Sequence, residues 1–357
     1  MKTTFRILMC LVLGFCVLLA SSAWAQPPSK GGGGGGGGST NNGGGVIYFT
    51  YSPNSTSPTL YQMNDDGSEV MALPIPTSGQ LGSPSYHLHA GSRWFLRSMY
   101  LDDEHYTVMV NVNGDVVPLF PISGEISMTG DRQWTKDDSY VSFPGRRIDT
   151  DVTSPTFGQW IDFGLYMVEI LYAADGFPLG VLGQPAFVMP SDAVYYNNQS
   201  QPQSDIRFHS WSDDGLRFVY SRFVATDRLS VGNVLTQQTT DIGIDPAAWY
   251  GGRVAWAPGA ERVMCNYTKS KSMVITMNTD GSGITEIASS TSTVTVFAGD
   301  WSPTGSHLVY KHQDGRAQDS RLIRATSTGG SKTRITSKSQ FGSGPLGPTV
   351  IGWRANQ

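Results

Sequence analysis

Trp301-Ser302-Pro303-Thr304-Gly305, followed at once by the apolar stretch His307 to Tyr310, decides the reading of this chain because the frame recurs. It returns as Trp211-Ser-Asp-Asp-Gly215 before Leu216 to Tyr220, and as Trp256-Ala-Pro-Gly-Ala260 before Arg262 to Cys265. Weaker copies run from Trp134 to Asp138 before Tyr140 to Phe143, and from His87 to Gly91 before Arg93 to Leu96. Trp211, Trp256 and Trp301 stand 45 residues apart and His87 and Trp134 stand 47 apart; only the step from Trp134 to Trp211, at 77, is long. A period of about 45 residues of strand-like sequence marks a repeated sheet unit, and one unit carries an insertion.

A second element runs in phase with the first: a short apolar strand, a Gly turn, then another strand. It is clearest where Ile275 to Asp280-Gly281 leads to Ile284 to Ile287, and where Leu60 to Asp66-Gly67 leads to Val70 to Leu73. Asp-Gly between apolar runs signals a hairpin, because Gly takes the positive φ that tight turns demand. Further copies carry Asn113-Gly114, Asp175-Gly176 and Gly329-Gly330. Each unit therefore reads as four antiparallel strands, A to D, with the anchor Trp ending strand A.

The inner strands, such as Val46 to Phe49, Phe218 to Tyr220 and Leu308 to Tyr310, are continuous apolar runs, as a sheet buried on both faces requires. An open solenoid or a β-sandwich with chance periodicity is the alternative, and the ends of the pattern argue against it. The pattern begins at Val46 with a B strand that lacks an A strand, and ends with Pro348 to Trp353, an A strand with nothing after it. The last strand is expected to complete the first unit. Ring closure leaves no exposed edge, so the expected fold is all-β: a six-bladed β-propeller closed by its C-terminal strand. A seventh, degenerate blade hidden in the long unit is the architectural alternative. Trp134, Trp211, Gly215, Trp256, Trp301, Gly305 and Trp353 are the structural anchors of the repeats.

The WSPTG and WSDDG frames with their Asp-Gly hairpins resemble the TolB-type, WD-repeat-like propeller repeats of exported bacterial proteins. The resemblance spans Val46 to Arg354 and implies fold, not function. Thr304 stands where the family's frame has Asp, and His87 where it has Trp. Only the propeller is shared, since no folded domain is expected before Val46.

Three regions follow: a signal peptide at 1–25, a Gly-rich disordered linker at 26–45, and the propeller at 46–357. Lys2 and Arg6 precede the apolar run Ile7 to Ala20 and the small-x-small site Ala23-Trp24-Ala25, the pattern of a cleavable export signal. Periplasmic or secreted location is therefore expected, with no membrane span. Phe15 before Cys16 is a poor match to a lipoprotein signal. The eight consecutive glycines after Lys30 cannot bury enough apolar surface to order themselves. Without Lys2 and Arg6 the chain has 23 Lys and Arg against 29 Asp and Glu, and no basic cluster exceeds Arg146-Arg147. Nucleic acid is an unsuitable partner. Of three cysteines only Cys265 lies beyond the signal, and it reads as a small core residue.

No GxSxG, HExxH, Walker loop or CxxC motif occurs in the chain beyond the signal. No cofactor is expected. His87-x-His89 and His209 could converge at the ring axis and hold a metal, as in a lyase-like propeller enzyme acting on polysaccharide; ordinary hydrogen-bonded histidines are the plainer reading. Asp66, Asp175 and Asp280 have the spacing of turn formers rather than of a Ca²⁺ array. The excess length of blade three is assigned to a B–C loop, Pro144 to Gly164, and a D–A crossover, Gly183 to Asp205, at one face of the ring. These carry Phe157, Trp160, Phe163, Phe187, Tyr195 and Tyr196 among many amides and few charges, which suits a protein, peptide or glycan contact. Packing on their own blade is the alternative. The expected function is a noncatalytic binding scaffold, probed best at Phe157, Trp160, Phe163, Tyr195 and Tyr196. A protein or peptide is the foremost partner, carbohydrate the second, and the propeller is expected to be monomeric.

Overall fold

The computed structural model describes residues 44–51, 59–73, 87–88, 94–122, 124–135, 138–197, 199–222, 228–243, 245, 248–315, 319–337 and 347–355. Residues 1–43, with the expected signal and most of the Gly-rich segment, lie outside them. Among the described residues there is no helix. The strands form six antiparallel sheets, which make a six-bladed β-propeller, and one further two-stranded sheet.

Blade one joins Thr349–Arg354, Val46–Tyr51, Thr59–Asn64 and Met71–Ala72 as strands A to D. Blade two is His87–Leu88, Trp94–Leu101, Glu104–Asn111 and Val116–Pro121. Blade three has a broken A strand, Ile126–Met128 and Gln133–Trp134, followed by Tyr140–Ile148, Trp160–Tyr172 and Pro178–Pro190. Blade four is Ile206–Trp211, Arg217–Arg222, Arg228–Asn233 and Gln238–Asp241. Blade five is Val254–Trp256, Arg262–Thr268, Ser272–Asn278 and Thr285–Ser289. Blade six is Val294–Trp301, His307–Asp314, Asp319–Thr326 and Lys332–Arg334. Each A strand touches the A strands of both neighbouring blades, so the six form an inner wall.

The apolar runs explain how blades stack. Side chains of a strand alternate between faces, and in Val46–Tyr51 the residues Ile47, Phe49 and Tyr51 enter the core shared with blade six while Tyr48 enters the one shared with blade two. Every blade–blade boundary has its own buried cluster, and the boundaries run in sequence from one-two to six-one. Closure is therefore built from the same apolar contacts as every other boundary. Val46–Tyr51 pairs with Thr349–Arg354 in the first blade, as the sequence required. At the inner wall, Arg253 of blade five donates to the carbonyls of Val350 and Ile351, and Asp300 of blade six accepts from Trp353 N at 3.1 Å and Arg354 Nη1 at 3.2 Å.

The anchor frames work as turns. In blade six Ser302 Oγ accepts from His307 N at 3.0 Å, and Gly305 sits at φ 69°, where a Cβ would lie 2.6 Å from the Pro258 carbonyl of blade five. In the weaker blade-three copy Thr135 Oγ1 accepts from Tyr140 N at 3.1 Å, and Asp138 takes the left-handed position at φ 63°, which Asp tolerates. Trp301 Nε1 reaches back to the Ala255 carbonyl at 3.1 Å, tying blade six to blade five. Blade two departs from the expected alignment by one residue. Leu88, not His87, pairs seven residues onward, with Phe95, as Trp301 does with Leu308.

The long unit is not the loops expected from its sequence. Pro144 to Ile148 and Trp160 to Gly164 are paired strand, and the loop proper is 149–159. Strand D continues through Pro190, and Val194–Tyr196 pairs with Pro202–Ser204 as the separate hairpin. Backbone that extends beyond neighbouring blades needs hydrogen-bond partners, and pairing with itself supplies them. The insertion is thus an outgrowth of blade three; no seventh blade occurs among the described residues.

Candidate functional site: the blade-three outgrowth

Strands B, C and D of blade three are 9, 13 and 13 residues long, against 6, 6 and 4 in blade four. Part of the excess, 170–172 of strand C with 178–181 of strand D, runs past the start of strand B toward the Gly turn; the rest lies at the opposite end, with the B–C loop and the hairpin. There the strand B–C pairing shifts between Gly145 and Arg147. Asp162, at φ 51°, holds Arg147 through one carboxylate oxygen, 2.7 Å from Nη2 and 3.1 Å from Nε. Tyr166 Oη donates to the Asp162 carbonyl at 2.7 Å, fixing the bulge to the core. Gly164 is required here, because a Cβ would collide with the Met189 carbonyl of strand D.

The 149–159 loop is tied by its own polar groups. Asp149 accepts from Thr156 Oγ1 at 2.6 Å and from Asp151 N at 3.0 Å, and Asp151 in turn accepts from Thr153 N at 2.9 Å. Hydrogen bonds from Ser154, Thr156 and the Asp151 amide hold the Asp149 carboxyl below its ordinary pKa. What this loop presents outward is apolar: Val152 is 77% and Phe157 55% exposed. Trp160 is half-buried beneath the Arg146 guanidinium, 4.2 Å from the ring centroid, and Arg146 also donates to the Pro202 carbonyl of the hairpin. The loop and the hairpin therefore meet through one arginine.

The hairpin turn is closed by Asn197 Oδ1, which accepts from Gln199 N and Gln201 N, both at 2.9 Å. Tyr195 is half-buried and Tyr196 is 70% exposed. Phe163 and Phe187 are half-buried, and Phe187 stands against Tyr166. Of the expected aromatics, the structure gathers all at the outgrowth but presents mainly Phe157 and Tyr196. Trp160, Phe163 and Tyr195 divide between packing and solvent.

Below the hairpin, Asp205 is fully buried and meets Arg222 Nε at 2.9 Å, while Arg222 also reaches Asp192 and Asp241, each at 3.3 Å. Burial raises the Asp205 pKa; burial also opposes the Arg222 charge, but Asp205 and Asp192 outweigh it and hold Arg222 protonated. The cluster fastens the crossover to blade four.

The residues singled out for chemistry go elsewhere. His209 is fully buried in the boundary between blades three and four, with Nε2 2.8 Å from Ser142 Oγ. Ser142 is fully buried as well, and accepts from Trp211 Nε1 at 2.8 Å, so this serine–histidine pair braces two blades. His87 lies in strand A of blade two, and His89 falls outside the described residues. Among the described residues no group of three His, Cys, Asp or Glu is placed to hold a metal ion. Cys265 is buried, and burial pushes its thiol up to about 12. Asp66, Asp175 and Asp280 each accept from the amide two residues on, as turn formers do. Sequence reasoning missed Arg146, Asp149 and Asp162, which organise the outgrowth. Only the adjacent Arg146-Arg147 pair in an otherwise sparsely charged stretch hinted at them.

No family model matches the chain, and no curated protein matches it. Solved structures do. It is similar to TolB from Acinetobacter baumannii, with a TM-score of 0.57 and 10% identity over 89% of this chain and 68% of that one. It is also similar to a putative TolB from Agrobacterium tumefaciens, with a TM-score of 0.52 and 14% identity over 82% of this chain and 88% of that one. A chain of a nidogen/laminin complex matches with a TM-score of 0.51 and 6% identity, covering 87% and 97%. At these identities the likeness is one of fold: the chain is a TolB-like six-bladed propeller.

Proposed function

We propose that this protein is an exported, noncatalytic propeller acting as a binding scaffold in the periplasm or outside the cell, with the blade-three outgrowth as the surface that meets a protein or peptide partner. The observation that carries this reading is the exposure of Val152, Phe157, Val194 and Tyr196, from 43% to 77%, at one end of one blade on backbone tied by Asp149, Asp162 and Asn197. Apolar and aromatic side chains on pre-organised backbone contribute contact area at small entropic cost. Binding is favoured over catalysis because, among the described residues, the serine–histidine pair Ser142 and His209 and the thiol of Cys265 are sealed in the core. Export rests on the leader pattern in residues 1–25, and mass spectrometry of the exported chain is expected to find Gln26 at its start.

A photo-crosslinking residue placed at Tyr196, and separately at the exposed Asn113 at the Gly-turn end of blade two, tests the surface. In the native envelope a discrete crosslinked species is expected from position 196 and not from position 113. Crosslinking from 113 alone, or equally from both, contradicts the assignment.

A further inference from the structure

We propose that Arg132, between blades two and three, is the centre of a binding site for a small oxyanion of the phosphate or carboxylate class. Arg132 lies on the segment leading into the inner strand of blade three and is 4% exposed. Its Nη2 donates to Ser98 Oγ of blade two at 2.7 Å, while Nε and Nη1 meet no acceptor. Ser98 is the direct cross-strand partner of Thr107, so the two hydroxyls share the face that looks toward blade three. Thr107 is fully buried, and its Oγ1 has no hydrogen-bond partner.

Two residues before Thr107, and so on the same face, stands His105, whose Nε2 is buried without a partner. Its ring stacks on Tyr100 at 4.5 Å, and Tyr100 is 43% exposed, which marks the route to solvent.

A guanidinium carries five N–H donors and accepts nothing, and a hydroxyl can add a further donor. Burial lowers the Arg132 pKa to about 10, with Asp131 opposing the shift, so the group stays charged at neutral pH. A buried charge with unused donors calls for an acceptor that brings negative charge; Ser98 takes one Nη2 hydrogen, and the other, with either Nε or Nη1, leaves one guanidinium edge to match the two oxygens of a phosphate or carboxylate.

The test uses the exported chain in chloride buffer at constant ionic strength, titrated with inorganic phosphate and, separately, with acetate, and followed by calorimetry and thermal melting. A saturable rise in melting midpoint is expected with at least one anion; phosphate alone or acetate alone identifies which oxyanion the site accepts. Arg132→Met is expected to abolish the response, and Thr107→Val to weaken binding roughly tenfold, as loss of one charge-assisted hydrogen bond does. If Arg132→Met does not fold, Thr107→Val carries the test. No saturable response, or an unchanged response in the variants, overturns the proposal and leaves water or an adventitious ion only between the blades.

Discussion

Blades five and three are built on the same frame, yet one stays minimal and the other grows. Blade five links its B and C strands through residues 269–271, while blade three prolongs both strands and then adds the 149–159 loop and a hairpin. At the Gly-turn end blade three also carries its C and D strands past the start of strand B, through 170–172 and 178–181, which blade five does not. At that end neighbouring turns hold each other: Gly259 N donates to Asp213 of blade four at 2.5 Å, and Arg217 of blade four meets Glu261 of blade five at 2.6 Å. Blade three places its largest additions, the 149–159 loop and the hairpin, at the opposite end, and the difference separates the part that holds the ring together from the part free to bind.

The largest effect is expected from removing the closing strand. Val350, Ile351 and Trp353 are 5%, 3% and 1% exposed. Burying three such side chains contributes about 6 to 10 kcal/mol, comparable with the roughly 5 to 15 kcal/mol net stability of a domain. Deletion of residues 348–357 is expected to leave insoluble or molten protein. A truncated protein with an unchanged melt contradicts closure by this strand.

A smaller loss is expected from Arg253→Met, which strips the Val350 and Ile351 carbonyls of their donor and leaves Asp300 with one cation fewer. The cost is about 2 to 4 kcal/mol, read as a lower urea midpoint at unchanged m. A midpoint equal to wild type means the inner wall does not depend on this residue.

Acid separates the two regions further. The folded pKa of Asp149 lies below its ordinary value, so its contribution is fully present above about pH 4 and is lost as pH falls through the lower folded value. The protection of residues 150–158 against hydrogen exchange, taken relative to the intrinsic rate at each pH, is therefore expected to fall on acidification, and Asp149→Asn to lower it likewise at neutral pH, while blade five stays protected. Loosening of both regions together would mean that the outgrowth and the ring are one cooperative unit.

The sequence disclosed most of the ring and little of the outgrowth, for one physical reason. Repetition makes Trp301, Trp256 and Trp211 check one another, and the unpaired strands at Val46 and Trp353 can satisfy each other only in a ring. The insertion occurs once, so nothing in it can be cross-checked. Its Gly, Pro and Asn content reads as loop, whereas the paired strands depend on Gly164 permitting a close crossing and on Asp162 closing a bulge. The anchor alignment failed only at blade two, where no Trp fixes the register and Leu88 takes the place assigned to His87. Burial was equally illegible: His209, eligible for a metal by residue type, is fully enclosed against Ser142.

The account stands or falls on whether binding and stability can be separated at the outgrowth. The direct measurement is Phe157→Ala with Tyr196→Ala, scored in parallel for thermal melting and for recovery, by affinity capture without crosslinking, of the partner identified by the crosslink at position 196. Both side chains are more than half exposed, so the melt is expected to move by no more than about 1 kcal/mol, while loss of two anchors weakens partner recovery at least tenfold. A clear drop in melting midpoint with recovery intact would show that these aromatics pack the blade and that the partner binds elsewhere.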